Sequence, residues 1–400
     1  MKLSEVKTPV YVIDEKKLRK NCEILADVQK RSGAKILLAQ KAYSVYQTYP
    51  LIAKYLSGCT ASGIFEAKLA HEEFITPEGE RRENHVYEPA FKDDEMAEIC
   101  NICDHVVFNS LRQLEHHRPV WGPKAAAGQL SVGIRINPEF STDDAHEIYD
   151  PCASGSRLGI RKVNLPDKLP EGVEGIHFHN LCEQDFEPLF DTFKKVEKDF
   201  ASYFPEKEHL YSEGEVPAGN QLKWINLGGG HHITRDDYDR EGLIELVKYI
   251  KSTYGLEVYL EPGEAIALYA GYLVTTVMDI VETDRKPVLI LDTSASCHMP
   301  DVIEMPYVPP LKDAEDPGEL PYTYRLSSRT CLAGDIIGDY SFEKEKKIGD
   351  RLYFEDMAIY SMVKNNTFNG MPLPDIAIMH DKSDVELIRE FGYNDFKMRL

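Results

Sequence analysis

Four features of the sequence pair reactive residue types with the ends of β-rich runs. Lys41 closes AKILLAQK, in which five of the six residues before Gln40 are apolar. A lysine delivered into a desolvated cavity loses basicity, and its free amine can form a Schiff base. On a solvent-facing strand end it would only snorkel to water. Gly228, Gly229 and Gly230 follow WINL directly. Three glycines let backbone N–H groups approach a phosphate, and the next segment can present a helix amino terminus, unless the tripeptide is merely a flexible turn. It is not a GxGxxG fingerprint and no acidic strand end follows at the right distance, which disfavours a nicotinamide cofactor. His179, in GIHFHN, alternates with His177, so on a strand both share a face. Glu261, in LEPG, precedes Pro262 and Gly263, which force a turn. There it either caps the turn or pairs with a cationic ring nitrogen. The remaining metal-type residues, His231, His232 and the single CxxC of Cys100 and Cys103, lack a second matching set, so no metal is expected.

These residues need a scaffold that gathers strand ends. Eight β-rich runs alternate with helical spacing: AKILLA from Ala34, GCTAS from Gly58, HVYEPA from His85, HVVFNS from His105, LSVGIRIN from Leu130, VEGIHFH from Val173, KWINLGG from Lys223 and LEVYLEP from Leu256. Amphipathic stretches such as IFEAKLAHEEF, PLFDTFKKVEKDFASYF and EGLIELVKYIKSTYG lie between them. Eight βα units over about 250 residues predict a closed (β/α)8 barrel, whose chemistry sits at the carboxyl ends of its strands. After Glu261 the texture turns β-branched and aromatic, in LYAGYLVTTVMDIV, KPVLILDTS, RTCLAGD and DRLYFEDMAIYSMV, with a Pro-rich acidic loop from Pro306 to Pro321. The expected division is a barrel over 1–265 and a mostly β domain over 266–400, the first ~15 residues being free to pack with the latter.

Composition limits the partners. With 46 Lys and Arg against 67 Asp and Glu, the 400-residue chain carries a formal charge of −21. No basic run interrupts that field, so nucleic acid and anionic membrane surfaces are disfavoured and a cationic small molecule is favoured. The amino-terminal MKLSEVKTPVYVIDEKKL has no apolar signal core, and eight cysteines are thinly spread, which predicts a cytoplasmic chain with reduced thiols.

Taken together, these residues resemble the fold type III pyridoxal 5′-phosphate (PLP) decarboxylases, the group of ornithine, diaminopimelate and related decarboxylases, over nearly the whole chain. The resemblance implies an alanine racemase-like fold in which Lys41 carries PLP covalently and His179 stacks on its ring. Gly228, Gly229 and Gly230 would hold the phosphate, and Glu261 would pair with the pyridine nitrogen. Cys331, in CLAGD, resembles an active-site cysteine supplied by the partner subunit of a homodimer, and Asp335 resembles the later acidic residue of that motif. Tyr360 stands eight residues before Phe368 of TFNG, the family spacing of a tyrosine that contacts the cofactor.

Two departures refine the resemblance. Glu264 stands where most of the family has the arginine of EPGR, and Leu332 replaces an acidic residue. With LLAQKAYS, GGGHHITR, DTSASCHMPDV and GDYSF, they are similar to the carboxynorspermidine/carboxyspermidine branch. That branch implies α-decarboxylation of a carboxylated triamine in bacterial polyamine synthesis, with Cys331 donating a proton to Cα and Lys41 or water as rivals. Buried ammonium groups need partners, which nominates Glu264, Asp292, Asp301 and Asp335 for the substrate. The alternatives are a diaminopimelate decarboxylase, against which Glu264 argues, and a non-catalytic PLP-binding barrel, against which the additional β domain argues.

Overall fold

The computed structural model describes residues 2–142, 147–205, 222–380 and 384–400. It forms two compact units, Asn21–Ile266 and a second that joins Met1–Lys20 to Ala267–Leu400. The chain enters through β1 (Val10–Asp14) and α1 (Glu15–Ser32). Next come β2 (Lys35–Ala39), β3 (Gly58–Ala61), β4 (Glu83–Glu88), β5 (His105–Phe108), β6 (Ser131–Asn137), the two-residue β7 (Ile160–Arg161), β8 (Val173–His177), β9 (Trp224–Asn226) and β10 (Glu257–Leu260). Among them lie α2 (Tyr49–Ala53), α3 (Ile64–Glu73), α4 (Asp93–Ile102), α5 (Leu111–Ala126), α6 (Phe186–Asp199) and α7 (Arg240–Tyr254), followed by α8 (Glu264–Ala267).

Strands β2, β3, β4, β5, β6, β8, β9 and β10 pair in parallel in that order, and β10 pairs with β2 to close the barrel. Each of the eight runs read from the sequence supplies one of them. A parallel barrel strand is covered on both faces, which is why β2 reads as an apolar run and buries Ile36, Leu37, Leu38 and Ala39 in succession. The outer helices bury stripes instead, Leu189, Phe193 and Val196 on α6 and Leu243, Val247 and Ile250 on α7. The Asp239 side chain caps α7 by accepting the Gly242 N–H at 2.9 Å.

Inside the barrel Leu37, Val107, Trp224 and Tyr259 pack together. Gly133 and Gly175 make room for Trp224: a Cβ on either would lie 2.3 or 2.0 Å from the indole. At the amino ends of the strands a polar layer seals the floor. Lys35 Nζ meets Glu83 Oε1 at 2.6 Å, His85 Nε2 meets Glu83 Oε2 at 3.0 Å, and the His85 ring stacks on His105 at 4.0 Å. That end of a barrel serves stability, which leaves the opposite end for chemistry.

The second unit contains β11 (Gly271–Val281), β12 (Val288–Leu291), β13 (Tyr322–Ser328), β14 (Ile336–Phe342), β15 (Arg351–Glu355), β16 (Asp375–Met379) and β17 (Val385–Arg389). Its helices are short: α9 (Ala295–His298), α10 (Asp301–Glu304), α11 (Ser361–Lys364) and α12 (Tyr393–Lys397). The sheet order is β14-β13-β12-β11-β1-β16-β17, with β15 also on β11. VYVID is therefore a central strand, antiparallel to β11 and parallel to β16. It buries Tyr11 on one face with Leu273 and Leu289, and Val10 and Val12 on the other with Val274 and Ala377. RTCLAGD, expected among the strands, is instead the tight connection between β13 and β14, turned by an Asp335 N–H to Leu332 C=O bond of 3.0 Å. Among the described residues no helix is long and apolar enough to cross a membrane.

Candidate active site

The carboxyl ends of β2, β8, β9 and β10 bring Lys41, His179, the glycines and Glu261 to one end of the barrel. Gln40, fully buried, anchors the turn after β2: its Nε2 donates to Glu66 C=O at 3.0 Å and its Oε1 accepts from Tyr49 Oη at 3.1 Å. Lys41 follows and projects into the open end. Solvent can reach its side chain, yet protein rings it, and this enclosure with the Arg135 guanidinium lowers its pKa against the pull of Glu261, Cys182 and Glu66. A lysine so placed holds its amine in the neutral, nucleophilic form more readily than a surface lysine.

The glycine loop is a close-packed cradle. Gly228 and Gly230 have φ of +73° and +81°, in the left-handed region that favours glycine. A Cβ at Gly228, Gly229 or Gly230 would lie 2.5, 2.1 or 1.9 Å from the carbonyl oxygens of Phe178, Glu261 and Leu181. Any side chain would push this loop off its neighbours. The loop also orients His179, whose Nδ1 lies 3.2 Å from the Gly229 N–H. Burial, Lys41 and Arg135 drive the His179 pKa well below the usual range, so its imidazole is neutral.

Glu261 sits on the Gly228 carbonyl through its own N–H at 2.7 Å. Its Oε1 accepts from Asn226 Nδ2 at 2.7 Å and its Oε2 lies 3.3 Å from His177 Nε2. Burial alone would raise its pKa, but His177, His85 and the Asn226 amide overcome that and hold it at about 2. The carboxylate is thus ionised across the working pH range. Glu264, at the first position of α8, meets His232 Nε2 at 2.9 Å, and both side chains are mostly buried. Burial alone would lower the His232 pKa, yet the Glu264 contact raises it above the ordinary value.

In the sheet unit Cys331 is exposed in the β13–β14 connection, and its backbone N–H donates to Asn369 Oδ1 at 3.0 Å. Tyr360 precedes α11 with a φ of +51°, a strained conformation for a tyrosine. Asp301 pairs with Lys364, which also contacts Glu304 at 3.0 Å.

Two substrate nominations are corrected. Asp335 is fully buried and accepts from Ser294 Oγ at 2.6 Å, Ser328 Oγ and Thr330 Oγ1 at 2.5 Å, and the Ser296 N–H at 3.1 Å. Asp292 accepts from Thr8 Oγ1 at 2.6 Å, Thr275 Oγ1 at 2.5 Å and the Thr276 N–H at 2.9 Å. Carboxylates filled by neutral donors in this way brace loops and have little left for an ammonium group. Asp335 braces the connection that carries Cys331.

Sequence reasoning missed Arg135 and Asn226. Arg135 is buried, donates to the His179 carbonyl at 2.9 Å and stacks its guanidinium 4.7 Å over Tyr87. The alternation in SVGIRIN places Gly133, Arg135 and Asn137 on one face of β6, the one signal that could have pointed to it.

The donor set suits a phosphate-bearing pyridine aldehyde: an amine of lowered pKa, an ionised carboxylate, a neutral imidazole and a loop with no room for side chains. Residues 10–358 match the family described as pyridoxal-dependent decarboxylase, C-terminal sheet domain. The carboxynorspermidine/carboxyspermidine decarboxylase of Campylobacter jejuni is 41% identical over 406 aligned residues, covering 99% of each chain. The carboxyaminopropylagmatine decarboxylase of Synechocystis is 38% identical over 400 residues, covering 100% of this chain and 97% of the other. The crystal structure of carboxynorspermidine decarboxylase from C. jejuni complexed with norspermidine matches with a TM-score of 0.87 and 40% identity, over 99% of this chain and 100% of that one. The lysine, histidine, glycine and carboxylate constellation thus stands in a chain that belongs to the pyridoxal-dependent decarboxylases, with PLP as its cofactor.

Proposed function

We propose that this decarboxylase removes the α-carboxylate of carboxynorspermidine and carboxyspermidine, leaving norspermidine or spermidine. The observation that carries the reading is 41% identity, over 99% of each chain, with a protein named as a decarboxylase of those two substrates. The acidic groups around Lys41 agree with it, since Glu66 and Glu261 both lie within electrostatic reach of its amine and Glu264 follows three residues after Glu261. A substrate that ends in a carboxylate, as diaminopimelate does, would meet repulsion there. The Synechocystis relative supports a second reading, carboxyaminopropylagmatine, which shares the cationic chain.

Bound PLP supplies an electron sink for the pair released with carbon dioxide. Lys41 holds the cofactor, and its low basicity frees the amine for that attachment. Glu261, being ionised, would pair with the ring nitrogen and favour its protonated form. The neutral His179 would pack on the ring without adding charge. Gly228, Gly229 and Gly230, with Tyr360, would take the phosphate, and backbone dipoles would meet charge that an arginine would otherwise meet. Glu264 and Asp301 remain on the substrate side of this reading. The partner subunit's Cys331 would deliver the proton to Cα, with Lys41 or water as rivals.

On this reading the enzyme is a cytoplasmic homodimer with shared sites. Lys41→Ala and Cys331→Ala proteins, each nearly inactive alone, should form norspermidine from carboxynorspermidine at roughly a quarter of the wild-type rate when mixed and allowed to exchange subunits, because random pairing builds one intact site in the mixed dimer. No triamine from the wild-type protein would overturn the substrate assignment. None from the mixture alone would overturn the shared site.

A further inference from the structure

Two clusters of metal-type side chains lie outside the site described above. In one, Glu83, His85 and His105 of the barrel floor, the two imidazoles stack 4.0 Å apart with planes 6° from parallel. Ring lone pairs lie in the ring plane, so parallel rings cannot aim at one ion, and the Lys35 ammonium already holds Glu83 at 2.6 Å. The other cluster is built differently. Asp93 opens α4, and His116 and His117 stand side by side on α5. The ligand atoms of these three residues all lie within 4.8 Å of one another, and the two rings meet edge to face at 4.7 Å and 75°.

His117 is held rigidly, with its side chain only 3% exposed. Its ring packs edge-on to Phe91 at 6.5 Å and stacks on Phe108 at 6.2 Å. Nε2 lies 3.3 Å from the Phe91 carbonyl, an oxygen that only accepts, so the ring proton sits on Nε2. A backbone carbonyl on the far nitrogen is the arrangement that fixes the tautomer of a metal-binding histidine. In the neutral ring the Nδ1 lone pair then faces Asp93 Oδ1 at 3.9 Å and meets no donor among the described residues. Two acceptors thus face each other across a gap too wide for a hydrogen bond. The same Asp93 oxygen lies 2.7 Å from His116 Nε2. The neighbouring cations are engaged elsewhere, Lys92 at 3.4 Å from Glu95 and Arg118 at 2.7 Å from Glu115.

We propose that Asp93, His116 and His117 form a binding site for a divalent transition-metal ion of the zinc type, on the outside of the barrel and independent of the substrate reading above. Two imidazoles and a carboxylate are donors of the class that such ions take. Zn–N and Zn–O bonds of about 2.0 to 2.2 Å set tetrahedral ligands about 3.3 Å apart. The observed 2.7 and 3.9 Å bracket that separation, and the Asp93 side chain, 77% exposed, has room to settle between them. Water would complete the fourth position. The ion would tie the connection between β4 and α4 to α5, joining two successive βα units. The sequence hides the set because Asp93 stands 23 residues before His116, and only the packing of α4 on α5 brings them together.

The test is equilibrium dialysis of the PLP-loaded enzyme against zinc chloride, followed by metal analysis, for the wild type, Asp93→Asn and His116→Ala. A pH of about 7.5 leaves free imidazoles mostly unprotonated. Both substituted side chains are exposed and lie apart from the cofactor constellation, so without zinc the variants should keep the bound-cofactor absorbance and the decarboxylase activity. The wild type should bind one zinc ion per chain that each variant binds at least about tenfold more weakly. Zinc should also raise the melting temperature of the wild type more than that of either variant. A wild type that takes up no zinc overturns the site. Zinc held equally tightly by all three proteins places the ion elsewhere and overturns it too. Weakened binding in one variant and not the other overturns the three-ligand set.

Discussion

Replacing Lys41 with alanine should abolish carbon dioxide release, by at least about 10³-fold, and erase the absorbance of lysine-bound cofactor. The loss is large because, on the proposed reading, Lys41 would be the one side chain that holds the cofactor covalently, so no neighbour would substitute for it. Arginine at this position should not rescue the activity, since a guanidinium stays protonated and cannot attack a carbonyl. The fold should survive the change. Gln40, not Lys41, carries the hydrogen bonds that fix the turn after β2, and the Lys41 side chain is open to solvent. Near-normal melting with no activity is the expected pair of results. A Lys41→Ala protein that still shows the bound-cofactor absorbance would mean that the anchor lies elsewhere.

The second large effect belongs to Glu261→Gln. The amide can still accept from Asn226, so the geometry of the loop persists, but it cannot hold a proton on a ring nitrogen. The turnover number should fall about 10²- to 10³-fold with little change in KM, the pattern of an interaction that matters most in the transition state. Stability should also respond, in a defined window. The carboxyl pKa is depressed from 4.5 to about 2 in the fold, so Glu261 contributes stability that is complete above the unfolded value and is lost as pH falls toward 2. Acid melting curves of wild type and Glu261→Gln should therefore converge below about pH 2. Equal turnover in the variant would remove Glu261 from the cofactor site.

Much of this arrangement was legible in the chain because barrel strands announce themselves as apolar runs and their last polar residues mark the active end. Lys41, His179, Gly228 and Glu261 fell together on that rule alone, and hydrogen bonds and close approaches among the last three now join them. What escaped depends on pairings across the closed barrel or across the sheet. Arg135 and Asn226 look like ordinary strand residues until β6, β8, β9 and β10 are side by side. VYVID has the composition of a barrel strand; the sequence leaves it free to pack with the β domain, and pairing with β11 and β16 gives it its central place there. Asp292 and Asp335 read as free acids because their hydroxyl partners, Thr8 and Thr275 for one and Ser294 and Ser328 for the other, come from remote segments.

The formal charge of −21 sharpens in the same way, from a property of the whole chain to the carboxylates of one barrel mouth. Which substrate they serve is decided by competition. Carboxynorspermidine, carboxyspermidine, carboxyaminopropylagmatine, diaminopimelate and ornithine, offered to one preparation of enzyme, give kcat/KM ratios from the rate of carbon dioxide release. Carboxynorspermidine and carboxyspermidine should head the series within about 200-fold of each other, since a single methylene discriminates by no more than that, and diaminopimelate should trail both by at least about 10³-fold. A preference for diaminopimelate over either carboxylated triamine would contradict the account.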